Sequence, residues 1–370
     1  MKIILKTISG ICLFILIAQT KTFAQGCVAI RSTGGICTMN EHPDSTNSSA
    51  YWLVNSNNRY YKSFRHFIGK QEQTQRLVLH NNVINKVYQQ DITLTRIFND
   101  RWSMSMDLPI SDNSRSQLDP TGTTRFSTHS FGLGDMNLTA AYWLFNPAKS
   151  PKGNIQVGTG IKFATGNNNV MDYFLTNPAT GARTLKLVDQ SIQLGDGGTG
   201  IITEINAYYN FTPKFGFYGN FYYLLNPQDV SIPKSIATQP ATSNTAPYTA
   251  DVFSVPDQML VRAGASLAVK KMDFSLGVRY DELPVYDLVG GVDGYRRPGY
   301  IIAAEPGINY RINNVALYFY CPIAIIRDRT QSVADRRATA AVASTTGVVT
   351  HGDAAFADYV INVGITVKFQ

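Results

Sequence analysis

Three features of the chain predict an all-β fold, an antiparallel transmembrane up-and-down β-barrel of about twelve strands. They are an export signal at its start, an amphipathic strand at its end, and a regular alternation of short and long connections between them. In the closing strand Tyr359, Ile361, Val363, Ile365, Val367 and Phe369 fall on one face, and Asn362, Gly364, Thr366 and Lys368 on the other.

The chain opens with Lys2 and Lys6, an apolar core over residues 11–18, and Thr22-Phe23-Ala24, so a signal peptide over residues 1–24 is expected. That core is too short to span a bilayer. Cys27 invites a lipoprotein reading, but the usual Leu three positions upstream is missing. Residues 25–49 are polar and Gly-rich and are expected to form a periplasmic arm or a plug in the lumen; the barrel is assigned to residues 50–370.

Composition narrows the class. The chain is 16% charged, holds 20 Tyr and 19 Phe, and has no apolar run long enough for a membrane helix. Export without a helical span leaves a soluble secreted protein, a periplasmic protein or a barrel. The formal charge of +7 falls to about +4 once Lys2, Lys6 and Lys21 leave with the signal. A surplus so small and scattered gives no sign of nucleic-acid binding. In an oxidising compartment Cys27 and Cys37 are disulfide candidates, whereas Cys321 sits on an apolar strand face as a small hydrophobe. No zinc spacing is present, and neither a metal nor a cofactor is expected.

From residue 50 onward the period-two pattern recurs. Strands are expected over 51–67, 82–98, 101–111, 130–146, 153–166, 199–212, 214–227, 257–270, 272–282, 298–312, 315–326 and 357–369. Tight connections fall at Asn99-Asp100, residues 147–152, Pro213, Lys271 and Asn313-Asn314, where Asn and Asp tolerate turn backbone angles. Long connections fall over 68–81, 112–129, 167–198, 228–256, 283–297 and 327–356. An even strand number with both ends on the side of the short turns is the topology of bacterial, Gram-negative outer-membrane barrels.

The strand faces agree. Trp102, Met104, Met106, Leu108 and Ile110 oppose Ser103, Ser105, Asp107 and Pro109; Phe274, Leu276, Val278 and Tyr280 oppose Asp273, Ser275, Arg279 and Asp281. A soluble barrel would pack the apolar face inside, and alternation by itself does not say which face is concave. Export and loop alternation favour apolar outside. The lumen-lining candidates are then Asp107, Asp135, Lys162, Glu204, Arg262, Arg279, Asp281, Glu305 and Arg311, with Asp91, Asp273 and Lys368 besides. Reflection about Lys271 puts Arg262 nearly opposite Asp281, and Lys162 and Glu204 lie on neighbouring strands. Such pairs either fill and seal the interior or form a polar constriction. Tyr, Trp and Phe cluster at strand ends, as interfacial girdles do.

Short segments of the chain carry two resemblances. The terminal strand, with Tyr359, Val367 and Phe369, resembles the C-terminal assembly signal of outer-membrane barrels, although Gln370 follows the aromatic. Phe131-Gly-Leu-Gly-Asp-Met-Asn-Leu138, Gly160-Ile-Lys-Phe-Ala-Thr-Gly-Asn167 and Gln193-Leu-Gly-Asp-Gly-Gly198 resemble segments of the phenol meta-pathway group of outer-membrane transporters. Ala164 stands where that group usually has Pro. The resemblance covers roughly residues 100–326 and implies passage of small, often hydrophobic or aromatic, compounds.

The expectation is a monomeric barrel in the cell outer membrane, in contact with its lipid and the barrel-assembly machinery, passing a small-molecule solute. A sealed structural or assembly-partner barrel is the first alternative and a barrel-wall hydrolase the second. Against the hydrolase, His129-Ser130 is the only adjacent pairing of His with a nucleophile type, and neighbours on a strand point to opposite faces.

Overall fold

A computed structural model describes residues 50–232, 248, 252–342 and 347–369. The expected signal peptide over residues 1–24, the expected arm over residues 25–49, and the disulfide candidates Cys27 and Cys37 lie outside them. The barrel strands are β1 (Tyr51–Ile68), β2 (Ile84–Ile97), β3 (Trp102–Leu118), β4 (Arg125–Leu133, resuming as Asn137–Trp143), β5 (Gly153–Lys162) and β6 (Gly200–Asn210). The circuit continues with β7 (Phe215–Leu225), β8 (Gln258–Val269), β9 (Met272–Leu283), β10 (Gly299–Ile312), β11 (Val315–Tyr320, resuming as Ile323–Asp328) and β12 (Ala354–Ala357, resuming as Ile361–Phe369).

Each strand pairs antiparallel with its sequence neighbours, and β12 pairs with β1 through Trp52↔Phe369, Val54↔Val367 and Ser56↔Ile365. The ring of twelve is therefore closed, which leaves no sheet edge to expose unbonded amides to hydrocarbon. At the β2–β3 turn Asn99 Oδ1 accepts from Arg101 N (2.9 Å) and Trp102 N (3.0 Å). At the β8–β9 and β10–β11 turns Lys270 and Asn313 take positive φ, +57° and +51°. Asn bears that conformation at less cost than Lys.

Burial decides which face is concave. On β9 the outward Leu276 and Val278 are 62% and 55% exposed, while the inward Arg279 and Asp281 are 5% and 0% exposed. This inverts a soluble barrel: apolar side chains need a lipid solvent outside, and charges are sequestered inside. One outward patch departs from the rule. Ser56, Asn58, Tyr88 and Gln90 are polar, but Gln90 Nε2 donates to Ser56 Oγ (3.1 Å) and Tyr88 OH to Asn58 Oδ1 (2.6 Å), so they satisfy one another.

Three strands break. β4 is interrupted at residues 134–136, β11 at Cys321-Pro322, where Pro lacks an N–H, and β12 at residues 358–360. The last two breaks bond across to each other, Ala324 N to Asp358 O (3.2 Å) and Val360 N to Pro322 O (3.1 Å). Beside them an apolar cluster including Tyr61, Phe67, Val87, Ile301 and Phe356 packs against the inner wall near the long-loop end, with the Phe67 and Phe356 rings edge to face at 5.5 Å.

The expected loop over residues 112–129 is a correction. β3 runs on to Leu118 and β4 begins at Arg125, leaving a turn over residues 119–124. Asp119 closes it by accepting from Thr121 N (2.8 Å), Thr123 N (2.9 Å) and Thr124 N (2.6 Å). Above the bilayer both faces of a strand meet polar surroundings, so the alternation that marks a strand disappears there. The connection over residues 167–198 likewise contains a hairpin, Met171–Asn177 with Ala182–Leu187, and that over 327–356 a helix, Val333–Val342. Ser332 Oγ accepts from Asp335 N (3.1 Å) and the Asp335 carboxylate from Ser332 N (2.9 Å), a reciprocal cap.

Because β12 closes the ring and Phe369 faces outward opposite Trp52, Phe369→Ala is expected to lower the amount of folded barrel several-fold without blocking export. Comparison of heated and unheated gel mobility in outer-membrane fractions measures this; unchanged heat-modifiable protein would show that Phe369 is dispensable.

Candidate functional site

The interior is organised in layers. Midway along the barrel Arg279 binds Asp281 bidentately (both 2.7 Å), and Glu305 lies 3.5 Å from both Arg262 and Arg279. The expected pairing of Arg262 with Asp281 is thus corrected: in register Arg262 faces Arg279, and Asp281 faces Leu260. Two guanidiniums side by side require a shared anion, and Glu305 supplies it from β10. Its register partner on β9 is Gly277, which faces Gly264 on β8; a Cβ at either glycine would lie within about 2.5 Å of Tyr218 Oη. These two positions give room to the tyrosine and to the carboxylate that reaches past them. The cluster extends sideways from Arg262 to Asn220 (3.3 Å), Asn220 to Asn206 (2.6 Å) and Asn206 to Gln156 (3.1 Å).

Towards the short turns Arg311 binds Asp273 (2.6 Å), and Lys368 lies over the Tyr51 ring at 4.2 Å. Thr93 Oγ1 donates to Asp107 (2.8 Å), and Gln89 Nε2 donates to Asp91. Glu204 is buried on the inward face of β6, but Lys162 does not pair with it. Lys162 sits opposite Gly200 in register, four residues from Glu204.

Lys162 instead belongs to a latch. Its ammonium binds Asp196 and lies 3.9 Å from Asp135. Asp135, presented by the break in β4, also accepts from Gly166 N (2.9 Å) and Asp196 N (3.2 Å). A Cβ at Gly195 would lie 2.5 Å from Gly166 O and 2.6 Å from Asp135 Oδ1, and one at Gly166 2.7 Å from Leu194 O. Two backbones therefore touch where only hydrogen fits. All three Gly-rich segments noted in the sequence meet here, and together they fix the return segment over residues 189–198 inside the barrel.

A second anchor holds the same segment. Arg297 grips Asp189 with two bonds (2.8 and 2.7 Å), and Arg115 on β3 stands 3.4 Å away. Burial would raise the Asp189 carboxyl, but the two guanidiniums, the Arg297 hydrogen bonds and the Ser191 N–H outweigh it and hold it well below the usual carboxylate range.

Under the segment lies a cavity of about 230 Å³, lined among others by Arg59, Tyr61, Asn113, Asn137, Tyr222 and Phe253. Asn113 Oδ1 and Asn137 Oδ1 are buried acceptors with no hydrogen-bond partner among the described residues. Sequence reasoning missed Asp189, Arg115 and Arg297, which carry no periodic signal, and Asp196, whose Gly-rich surroundings do not mark it as an ion-pair partner. His129 is exposed and Ser130 buried, its Oγ taken up by Ile192 O, so the two point to opposite faces.

No protein-family model matches the chain, and no curated protein does. Solved structures match at low identity. An outer-membrane channel from Pseudomonas putida F1 aligns with TM-score 0.57 and 8% identity, over 92% of this chain and 100% of that one. A Pseudomonas aeruginosa FadL homologue (TM-score 0.42, 7% identity, 87% and 91% covered) and the Ralstonia pickettii toluene transporter TbuX (TM-score 0.41, 10% identity, 95% and 100% covered) match more loosely. The first likeness shows the fold. With its closed ring and apolar exterior, the chain is an outer-membrane β-barrel built on the fold of a channel.

Two outcomes test the latch. Gly195→Ala is expected to weaken docking of residues 189–198 by about 1–3 kcal/mol through overpacking, read as faster amide exchange there with the barrel strands unchanged. For pH, the Asp189 pKa is depressed relative to the unfolded value of ~3.9, so its contribution is present above that value and is lost only as pH falls through the lower native pKa. Exchange in the segment, corrected for intrinsic rates, should therefore be flat from pH 7 to about 4 in the native protein and elevated throughout in Asp189→Asn.

Proposed function

We propose that this barrel is a channel for small molecules, of the phenol meta-pathway type, whose solutes carry an apolar or aromatic body together with polar groups. The observation that supports it is the cavity beneath the latched segment. A cavity of ~150 Å³ holds benzene in another protein, so about 230 Å³ suits a compact ring or a molecule of similar bulk. Tyr61, Tyr222 and Phe253 offer ring faces, and the open acceptors of Asn113 and Asn137 offer hydrogen-bond sites to a solute or to water. The protein works as a monomer and is assembled through the signal that includes Tyr359, Val367 and Phe369.

The mid-barrel cluster is the selectivity element. Arg262 and Arg279 balance Glu305 and Asp281, so the native ring carries no net charge and favours neutral solutes. Removing Arg279 leaves two carboxylates against one guanidinium. In proteoliposomes, neutral monoaromatic alcohols are expected to equilibrate faster than disaccharides. Arg279→Ala should shift residual ion preference towards cations. Flux no faster than protein-free vesicles for every solute would favour the sealed barrel.

A further inference from the structure

Among the described residues the lipid-facing wall carries a recess whose chemistry points to what fills it. A groove of about 810 Å³ lies against the turn between β4 and β5, with Phe145, Ile155, Ala207, Tyr209, Phe217 and Gly219 among its lining residues. The side chains exposed on it, Phe145, Ile155, Tyr209 and Phe217, stand on the lipid face; the inward Asn154, Tyr208 and Tyr218 also border it but are buried, and the next inward residues, Gln156, Asn206 and Asn220, do not reach it.

Register explains the recess. Ala207 on β6 faces Gly219 on β7, which faces Ala263 on β8. One register step above stand Ile205, Phe221 and Val261, and one step below Tyr209 and Phe217. A Cβ on Gly219 would meet nothing closer than Arg262 O at 3.8 Å, so the floor is open rather than packed from within. Tyr209, Phe211, Phe215 and Phe217 form one aromatic wall, the rings of Tyr209 and Phe217 each meeting Phe211 edge to face at 5.0 and 5.3 Å.

The polar end is basic. Lys149 and Lys152 stand exposed on the groove rim, and the next two short turns round the barrel add Lys214 and the pair Lys270 and Lys271. None of the five makes an ion pair among the described residues, and residues 144–152, 211–214 and 270–271 contain no Asp or Glu. The short-turn end of an outer-membrane barrel faces the periplasm, so this rim meets the phospholipid headgroups of the inner leaflet. Aromatic side chains mark the same level.

We propose that this groove is a binding site for an anionic phospholipid of the periplasmic leaflet, one acyl chain lying over Ala207 and Gly219 between Ile155 and the aromatic wall, the phosphate held by Lys149 and Lys152. The site needs only the placement of the barrel in the membrane, not the channel function. Basic clusters at a membrane surface recognise phosphate, and a zwitterionic headgroup satisfies them less well.

Native mass spectrometry of the full-length protein, with phosphatidylglycerol or cardiolipin titrated against phosphatidylethanolamine, tests this. The wild type should retain the anionic lipids about tenfold more strongly, K149Q/K152Q should lose that preference, and Gly219→Leu or Ala207→Leu should lose retention of all three lipids. Heat-modifiable mobility identifies any variant that fails to fold, and either groove filler suffices. Equal retention of anionic and zwitterionic lipids by the wild type, or unaltered retention in a folded groove-filled variant, would overturn the site. So would tighter binding of lipid A than of phospholipid, which would mean an outer-leaflet ligand.

Discussion

The structure depends on the closing of β12 against β1. In hydrocarbon an unpaired amide costs several kcal/mol, so a sheet survives there only without edges. Trp52↔Phe369, Val54↔Val367 and their neighbours supply the final ladder, and the inward–outward sense of every other strand follows from it. A one-residue slip at this seam would turn Lys368 towards lipid and Phe369 towards the lumen.

Closure creates a second constraint, that a narrow interior must neutralise itself. Glu305 between Arg262 and Arg279, Asp281 on Arg279, Asp273 on Arg311, and Asp189 on Arg297 meet it by direct pairing. Such pairs contribute little net stability against apolar replacements, yet losing one partner strands a buried charge. They fix where backbone can lie in the lumen, and the return segment over residues 189–198 is held by charge and glycine contacts rather than by apolar burial alone.

Much of this was legible in the sequence because the bilayer imposes it residue by residue. Each spanning strand had to alternate, so twelve strands and the short turns between them could be read directly. The extensions of β3 and β4 could not, since Asp112 to Ser116 and Ser127 to Ser130 are polar on both faces. Nor could the partners of the charges. Arg262 stands opposite Arg279 because the β8–β9 turn uses Lys270 with Lys271, while the carboxylate it needs is on β10. Asp189 and Arg297 are 108 positions apart in two connections without periodicity. The three Gly-rich segments were visible, but that Gly166, Gly195 and Asp135 touch is a long-range fact.

The proposed channel requires an aqueous path through the lumen that opens once the return segment over residues 189–198 is removed. Single-channel recording in planar bilayers, comparing the intact protein with one in which residues 167–198 are replaced by a short flexible linker, measures this most directly. Small, infrequent steps in the first and large, stable steps in the second are predicted. A correctly folded linker variant that conducts nothing would contradict the account and leave the mid-barrel charge cluster as a seal.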